Sequence, residues 1–198
     1  MKTLLLLLLV FAAVTAAETR KHNAVAVCAV QGVDTDLPQL PKHLFGGTLV
    51  FEDARLYTLS YVRDLAAYPI GYTRLHLGIE GVLGKHDGIQ NHLETALAFQ
   101  LKLSGILPPK SPFNIDYAVA DGLSYAFGEP RYEDTPENEP DRYYRLQNFI
   151  SMDFDFYART CPSVQLMLRL HHRSGVYGLI APPKVGSNFI GYGVKYLF

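Results

Sequence analysis

The residues best suited to chemistry in this 198-residue chain are His172 and Ser174, separated by Arg173. In an extended strand residues i and i+2 point the same way, so a histidine nitrogen can reach a serine hydroxyl two positions on. That is the nucleophile–base pair of acyl transfer, in which the imidazole takes the hydroxyl proton while the oxygen attacks a carbonyl. The same two residues would also suit a polar margin, where a strand leaves an apolar environment. An H-x-S spacing alone does not separate the two readings. No CxxC, HExxH, Walker or GxGxxG pattern is present, so no metal site is expected, and a Ser–His pair requires no cofactor.

The segment that carries the pair alternates with period two. Val164, Leu166, Leu168 and Leu170 share the face of His172 and Ser174, while Gln165, Arg169, His171 and Arg173 occupy the other. Tyr143 to Tyr157 sets Leu146, Ile150, Met152, Phe154 and Phe156 against Arg145, Gln147, Ser151, Asp153 and Asp155. Tyr72 to Gly84 and Asn91 to Ser104 alternate in the same way. These stretches run to about ten residues or more, against about five or six in soluble proteins. A tilted strand of about 9–11 residues crosses a bilayer. One face is purely apolar and the other carries charges of both signs, which suits a barrel with lipid outside and paired ions within. The last residues, Gly191 to Phe198, alternate and stop on an aromatic. That ending resembles the terminal signal of bacterial outer-membrane proteins, which their barrel-assembly machinery reads at the final residue, here Phe198.

Eight strands are predicted, at 44–51, 55–65, 72–84, 90–103, 114–126, 143–157, 163–174 and 186–198. The fold class is therefore all-β, an eight-stranded antiparallel transmembrane barrel of the bacterial outer membrane, over 44–198. Residues 1–17 read as a signal peptide: Lys2 supplies the positive end, Leu4 to Ala13 the apolar run, and Ala16 or Ala17 the cleavage point. Residues 18–43 show weak periodicity and are assigned to an N-terminal periplasmic segment. With both ends periplasmic, the 127–142 connection falls outside the cell, where longer loops belong; it holds Glu129, Glu133, Asp134, Glu137, Glu139 and Asp141. A barrel of this size has a lumen filled by side chains. The inward Arg74, Glu80, Glu94, Asp153, Asp155, Arg169, Arg173 and Lys195 then read as a structural ion network rather than a pore lining.

Composition agrees. The 18 Lys and Arg against 19 Asp and Glu leave a net charge of −1, which excludes the basic field of a nucleic-acid binder. At 48% hydrophobic the chain is not disordered. The 13 Tyr and 11 Phe suit the aromatic girdles of a barrel at its two membrane interfaces. Cys28 and Cys161 are too few for a disulfide framework, although export would permit a bridge between them.

The stretch Leu168-Arg169-Leu170-His171-His172-Arg173-Ser174-Gly175, followed by Gly186-Ser187-Asn188 and the closing Gly193-Val194-Lys195-Tyr196-Leu197-Phe198, resembles the lipid A 3-O-deacylase (PagL) and acyloxyacyl-hydrolase-like family. The likeness is firm over roughly the last 35 residues and looser from residue 44. It implies an eight-stranded outer-membrane barrel in a Gram-negative envelope. It further implies a hydrolase, with Ser174 attacking an ester of lipid A in lipopolysaccharide and His172 as general base. The family orients that histidine with a glutamate on the last strand, and this chain departs from it. The corresponding region, Lys184-Val185-Gly186-Ser187-Asn188, holds no carboxylate, and Gly175 stands where an asparagine follows the serine.

Strand pairing offers substitutes. Asn188, through the 175–185 loop, and Asn148, through 158–162, fall near His172 with outward parity, and an amide oxygen can accept from a histidine N–H. Both would equally serve as interfacial polar residues. Asp121 also has outward parity; a bulge at Gly122 is expected to turn it inward. Oxyanion donors are expected from backbone N–H groups of Gly175–Gly178. The alternatives are a non-catalytic outer-membrane barrel with a structural or binding role, which has lost the orienting glutamate, and a soluble lipocalin-like carrier.

Overall fold

The computed structural model describes residues 22–133 and 142–198. The signal segment at 1–17 and residues 134–141 of the acidic 127–142 stretch lie outside the described residues. Among those described, the strands are β1 (Asn23–Val33), β2 (Phe51–Ile70), β3 (Thr73–Gly88), β4 (Leu93–Ser104), β5 (Phe113–Ala126), β6 (Leu146–Ala158), β7 (Val164–Ser174) and β8 (Gly186–Leu197). Each strand pairs antiparallel with its neighbours in chain order, and β8 pairs with β1 to close the barrel.

Parity sets the two faces. Leu97, Phe99, Leu101, Leu123, Leu166 and Leu168 are among the apolar side chains that face outward and are exposed, Phe99 at 77%. A coat this wide on a closed barrel is the surface of a transmembrane protein. The lumen is the reverse. Arg169 donates through Nε and Nη2 to Asp153 at 2.8 Å each, through Nη2 to Glu80 at 2.5 Å and through Nη1 to Ser60 at 2.8 Å. Lys195 adds Asp155 at 2.5 Å. Every charge in that set has a partner of opposite sign, as buried ions require.

The first strand differs from expectation. The 44–51 stretch holds the end of a short helix, α1 (Leu40–Gly46), and the entry to β2. β1 instead lies inside the segment assigned to the periplasm. The physical reason is the size of its side chains. Ala24, Ala26, Cys28 and Val30 face the lumen while Val25, Val27 and Ala29 face out, so both faces are apolar and no alternation shows. Small inward residues are needed there because Met167, Phe189 and Leu56 fill the same cluster from neighbouring strands. Cys28 is buried in this cluster, Cys161 is exposed in the β6–β7 turn, and both are free thiols.

The connections alternate between the two ends of the barrel. The loops 34–50, 89–92, 127–145 and 175–185 emerge at one end, called here the loop end; the turns 71–72, 105–112 and 159–163 lie at the other. The segments 34–50 and 175–185 flank the top of β7 and β8, and they make the site.

Candidate active site

On β7 the outward row runs Val164, Leu166, Leu168, Leu170, His172, Ser174. The leucines at its start are exposed, yet His172 keeps only 9% of its surface. The chain leaving β1 folds down over it. Thr35 and Asp36, together with Tyr177 from the 175–185 loop, line a cleft of about 560 Å³ that also contains His172, Ser174 and Asn148. The cleft opens on the outer side of the barrel, at the loop end of the apolar coat.

The β7–β8 register sets Asn188 directly across from His172. Their side chains meet, Nδ1 to Oδ1, at 2.7 Å. Asn188 Nδ2 donates to the Thr35 carbonyl at 2.8 Å. A carbonyl only accepts, so this bond fixes which way the amide faces and leaves Oδ1 toward the ring. His172 must then carry its proton on Nδ1, and Nε2 keeps the lone pair.

Asn148 is placed otherwise. It lies across β6–β7 from Ser174, while His172 faces Ile150. Its Nδ2 donates to Asp121 Oδ1 at 2.7 Å and to the Gly122 carbonyl at 2.9 Å. Asn148 therefore turns away from His172, which corrects its candidacy as the orienting residue. Asp121 is exposed on the outer face, and β5 pairs with both neighbours without a register shift. The expected bulge is absent from these pairings. Gly122 has a different role: a Cβ there would stand 2.1 Å from the Leu97 carbonyl, so glycine is what lets β4 and β5 close.

The 175–185 loop is tightly wound. Val176, Tyr177 and Lys184 have positive φ of 51°, 53° and 72°, a conformation that a β-branched residue such as valine adopts only under constraint. The Gly175 carbonyl accepts from the N–H groups of Ile180 and Ala181, and the Gly175 N–H donates to Val185 at 3.0 Å. That last bond removes Gly175 from the expected oxyanion donors.

On the lumen side of the same strands, Arg173 and Ser187 stand back to back with the site. Glu133 reaches down from the 127–145 loop, accepting from Arg173 Nη1 at 2.5 Å and from Ser187 Oγ at 3.3 Å, with Gln147 as a third donor. Burial pushes the Glu133 carboxyl up to about 7, against the pull of Arg173. Neither Thr35 nor Glu133 was marked by sequence reasoning: Thr35 follows the strand that shows no alternation, and Glu133 is one acid among six in its loop. Among the described residues no group of three or more His, Cys, Asp or Glu is placed to hold a metal ion.

No known family matches the sequence, and no curated protein does. Solved structures do. The outer membrane enzyme PagL superposes with a TM-score of 0.59 at 11% identity, covering 87% of this chain and 98% of that one. The two share a fold. Neisserial surface protein A gives a TM-score of 0.47 at 12% identity, covering 90% of this chain and 98% of its own. LpxR from Salmonella typhimurium gives 0.42 at 8%, covering 92% and 70%.

Proposed function

We propose that the chain is an outer-membrane esterase that hydrolyses an acyl ester of lipid A. The observation that carries this reading is the His172–Asn188–Thr35 hydrogen-bond chain, in a cleft at the lipid-facing side of the barrel with Ser174 two residues from the base. The likeness in fold to an outer membrane enzyme supports it. In this reading the loop end faces outward and the cleft opens at the level of the outer leaflet, where lipopolysaccharide resides. His172 Nε2 takes the Ser174 proton as Oγ attacks the ester carbonyl carbon. The tetrahedral oxyanion is held by N–H groups of Val176–Gly178, and its collapse expels the sugar hydroxyl with the proton from His172. Water then attacks the acyl-serine by the same route and releases the fatty acid. The barrel reaches the membrane through a signal peptide and through recognition of Phe198 by the assembly machinery.

One observation favours a second reading, a non-catalytic barrel. His172 is partnered by an amide rather than a carboxylate, and the Asn188–Thr35 bond would by itself serve to tie the first loop to β8. Mass spectrometry of lipid A from cells producing wild-type or Ser174→Ala protein separates the two. Loss of one acyl chain with the wild type and none with the variant is expected, with folding of both checked by heat-modifiable gel mobility. Identical lipid A from both strains would refute the esterase.

A further inference from the structure

Asp121 is a carboxylate on the face that meets lipid. It is exposed in the outward row of β5, between Val119 and Leu123, and is paired across the sheet with Phe99 and Ile150. Ionisable groups in such surroundings are rare and mark paths for ligands or ions. The two hydrogen bonds from Asn148 Nδ2, to Asp121 Oδ1 and to the Gly122 carbonyl, use both amide hydrogens and satisfy part of the carboxylate only. Among the described residues no lysine, arginine or histidine forms an ion pair with Asp121. What remains of its accepting capacity is directed at whatever occupies the lipid side.

Position narrows the occupant. Asn148 lies directly across from Ser174, so Asp121, Asn148 and Ser174 form a polar track over three adjacent strands of an otherwise apolar coat. Two strand spacings separate β5 from β7, about 10 Å. A hydroxyl close to the ester carbonyl on the same acyl chain falls well short of that. Depth disfavours a phosphate or ammonium at the outer edge of a headgroup: Asp121 stands four residues below the exposed Tyr125, about 10 Å along the axis of a tilted strand.

We propose that Asp121 and Asn148 form a second polar contact point of the site, which takes a neutral hydrogen-bond donor, an amide N–H or a hydroxyl, from another acyl chain of a multi-chain lipid whose ester lies at Ser174. The geometry relative to the ester rests on the esterase reading, but the contact is a binding site and is tested without turnover.

The test uses the full chain carrying Ser174→Ala, in detergent micelles, with lipid retention read by native mass spectrometry. The probes are a ceramide, which brings an amide N–H and hydroxyls, phosphatidylcholine, which has no donor, and phosphatidylethanolamine, whose donor is a headgroup ammonium. Ceramide should be retained about tenfold over phosphatidylcholine, the discrimination of one hydrogen bond of about 1.4 kcal/mol. Asp121→Leu, which replaces a lipid-facing charge with an apolar group and so leaves the barrel foldable, should bring the ratio close to one. Asp121→Asn keeps an accepting oxygen and should retain most of the preference. Equal retention of ceramide and phosphatidylcholine by the parent protein, or a preference that survives Asp121→Leu, would overturn the assignment. So would stronger retention of phosphatidylethanolamine. Because Ser174 is absent throughout, failure here leaves the lipid A experiment standing, and failure there leaves this contact intact.

Discussion

Asn188 accepts from His172 and donates to the Thr35 carbonyl, so in the proposed esterase its amide would do the positional half of what a carboxylate does in a hydrolase triad. It fixes the tautomer but brings no charge to steady an imidazolium. In that reading Asn188→Ala should lower kcat/KM for fatty-acid release from lipid A by about a hundredfold, because the ring loses its orientation and the first loop loses its tie to β8. Asn188→Asp should fall between the alanine variant and the parent, because it brings a charge to the imidazole but sets a carboxylate oxygen against the Thr35 carbonyl. Single-turnover assays on reconstituted protein check both, and an alanine variant with parental turnover would remove Asn188 from the machinery. How far these residues could be read in advance differs by position. His172 and Ser174 stood out because a long alternating stripe fixed their face, and Asn188 followed from the length of one loop. Thr35 could not follow, since it contributes a backbone carbonyl and any residue type would supply one.

At the scale of elements, β1 was hidden for a reason that is general. Alternation is visible only where one face is polar, and β1 places alanine, cysteine and valine inward because the lumen is already filled by Met167 and Phe189. The site inherits that gap, for the chain that covers His172 is the one that leaves β1. The 127–145 loop is held differently. The Tyr132 N–H donates to Gln90 Oε1 at 3.2 Å, and Glu133 is seated on Arg173 and Ser187. With its carboxyl raised to about 7 when docked, against about 4.3 when free, the docked loop binds more protons between those values. Docking therefore strengthens as pH falls from about 7 and weakens as pH rises through it. Arg173, Glu94, His86 and His171 face the same space from the strands. His92, held down to about 4 by burial, stays neutral across the window. Hydrogen exchange at residues 127–133, corrected for intrinsic rates, should show protection roughly twentyfold greater at pH 5.5 than at 7.5. Glu133→Gln should flatten that dependence. A glutamine variant with the parental pH profile would remove Glu133 as the source of the dependence.

Over the whole molecule, the lumen charges legible by strand parity gather in two ion groups, one around Arg169 and one around Arg173, and the energetics of the first can be tested as a unit. Arg169 is fully buried and bridges β2, β3 and β6 through Ser60, Glu80 and Asp153. Such a network is no measure of net stabilisation, because each ion gave up its hydration to enter; what it does impose is a large penalty for incompleteness. Arg169→Leu would leave Glu80 and Asp153 without the guanidinium they share, with Lys195 at 3.4 Å from Asp153. The barrel should then be destabilised by about 3–5 kcal/mol, read as a lower urea midpoint for loss of heat-modifiable mobility. Removing the whole set (Arg169→Leu, Glu80→Leu and Asp153→Leu together) should recover most of that loss, since an apolar lumen of similar volume strands no charge. If the single and triple variants unfold at the same midpoint, the plug acts through packing volume and not through its ions. Neither variant should alter the lipid-side cleft, because the lumen charges and His172 lie on opposite faces of β7, and the proposed fatty-acid release from lipid A by folded protein should be the same in both.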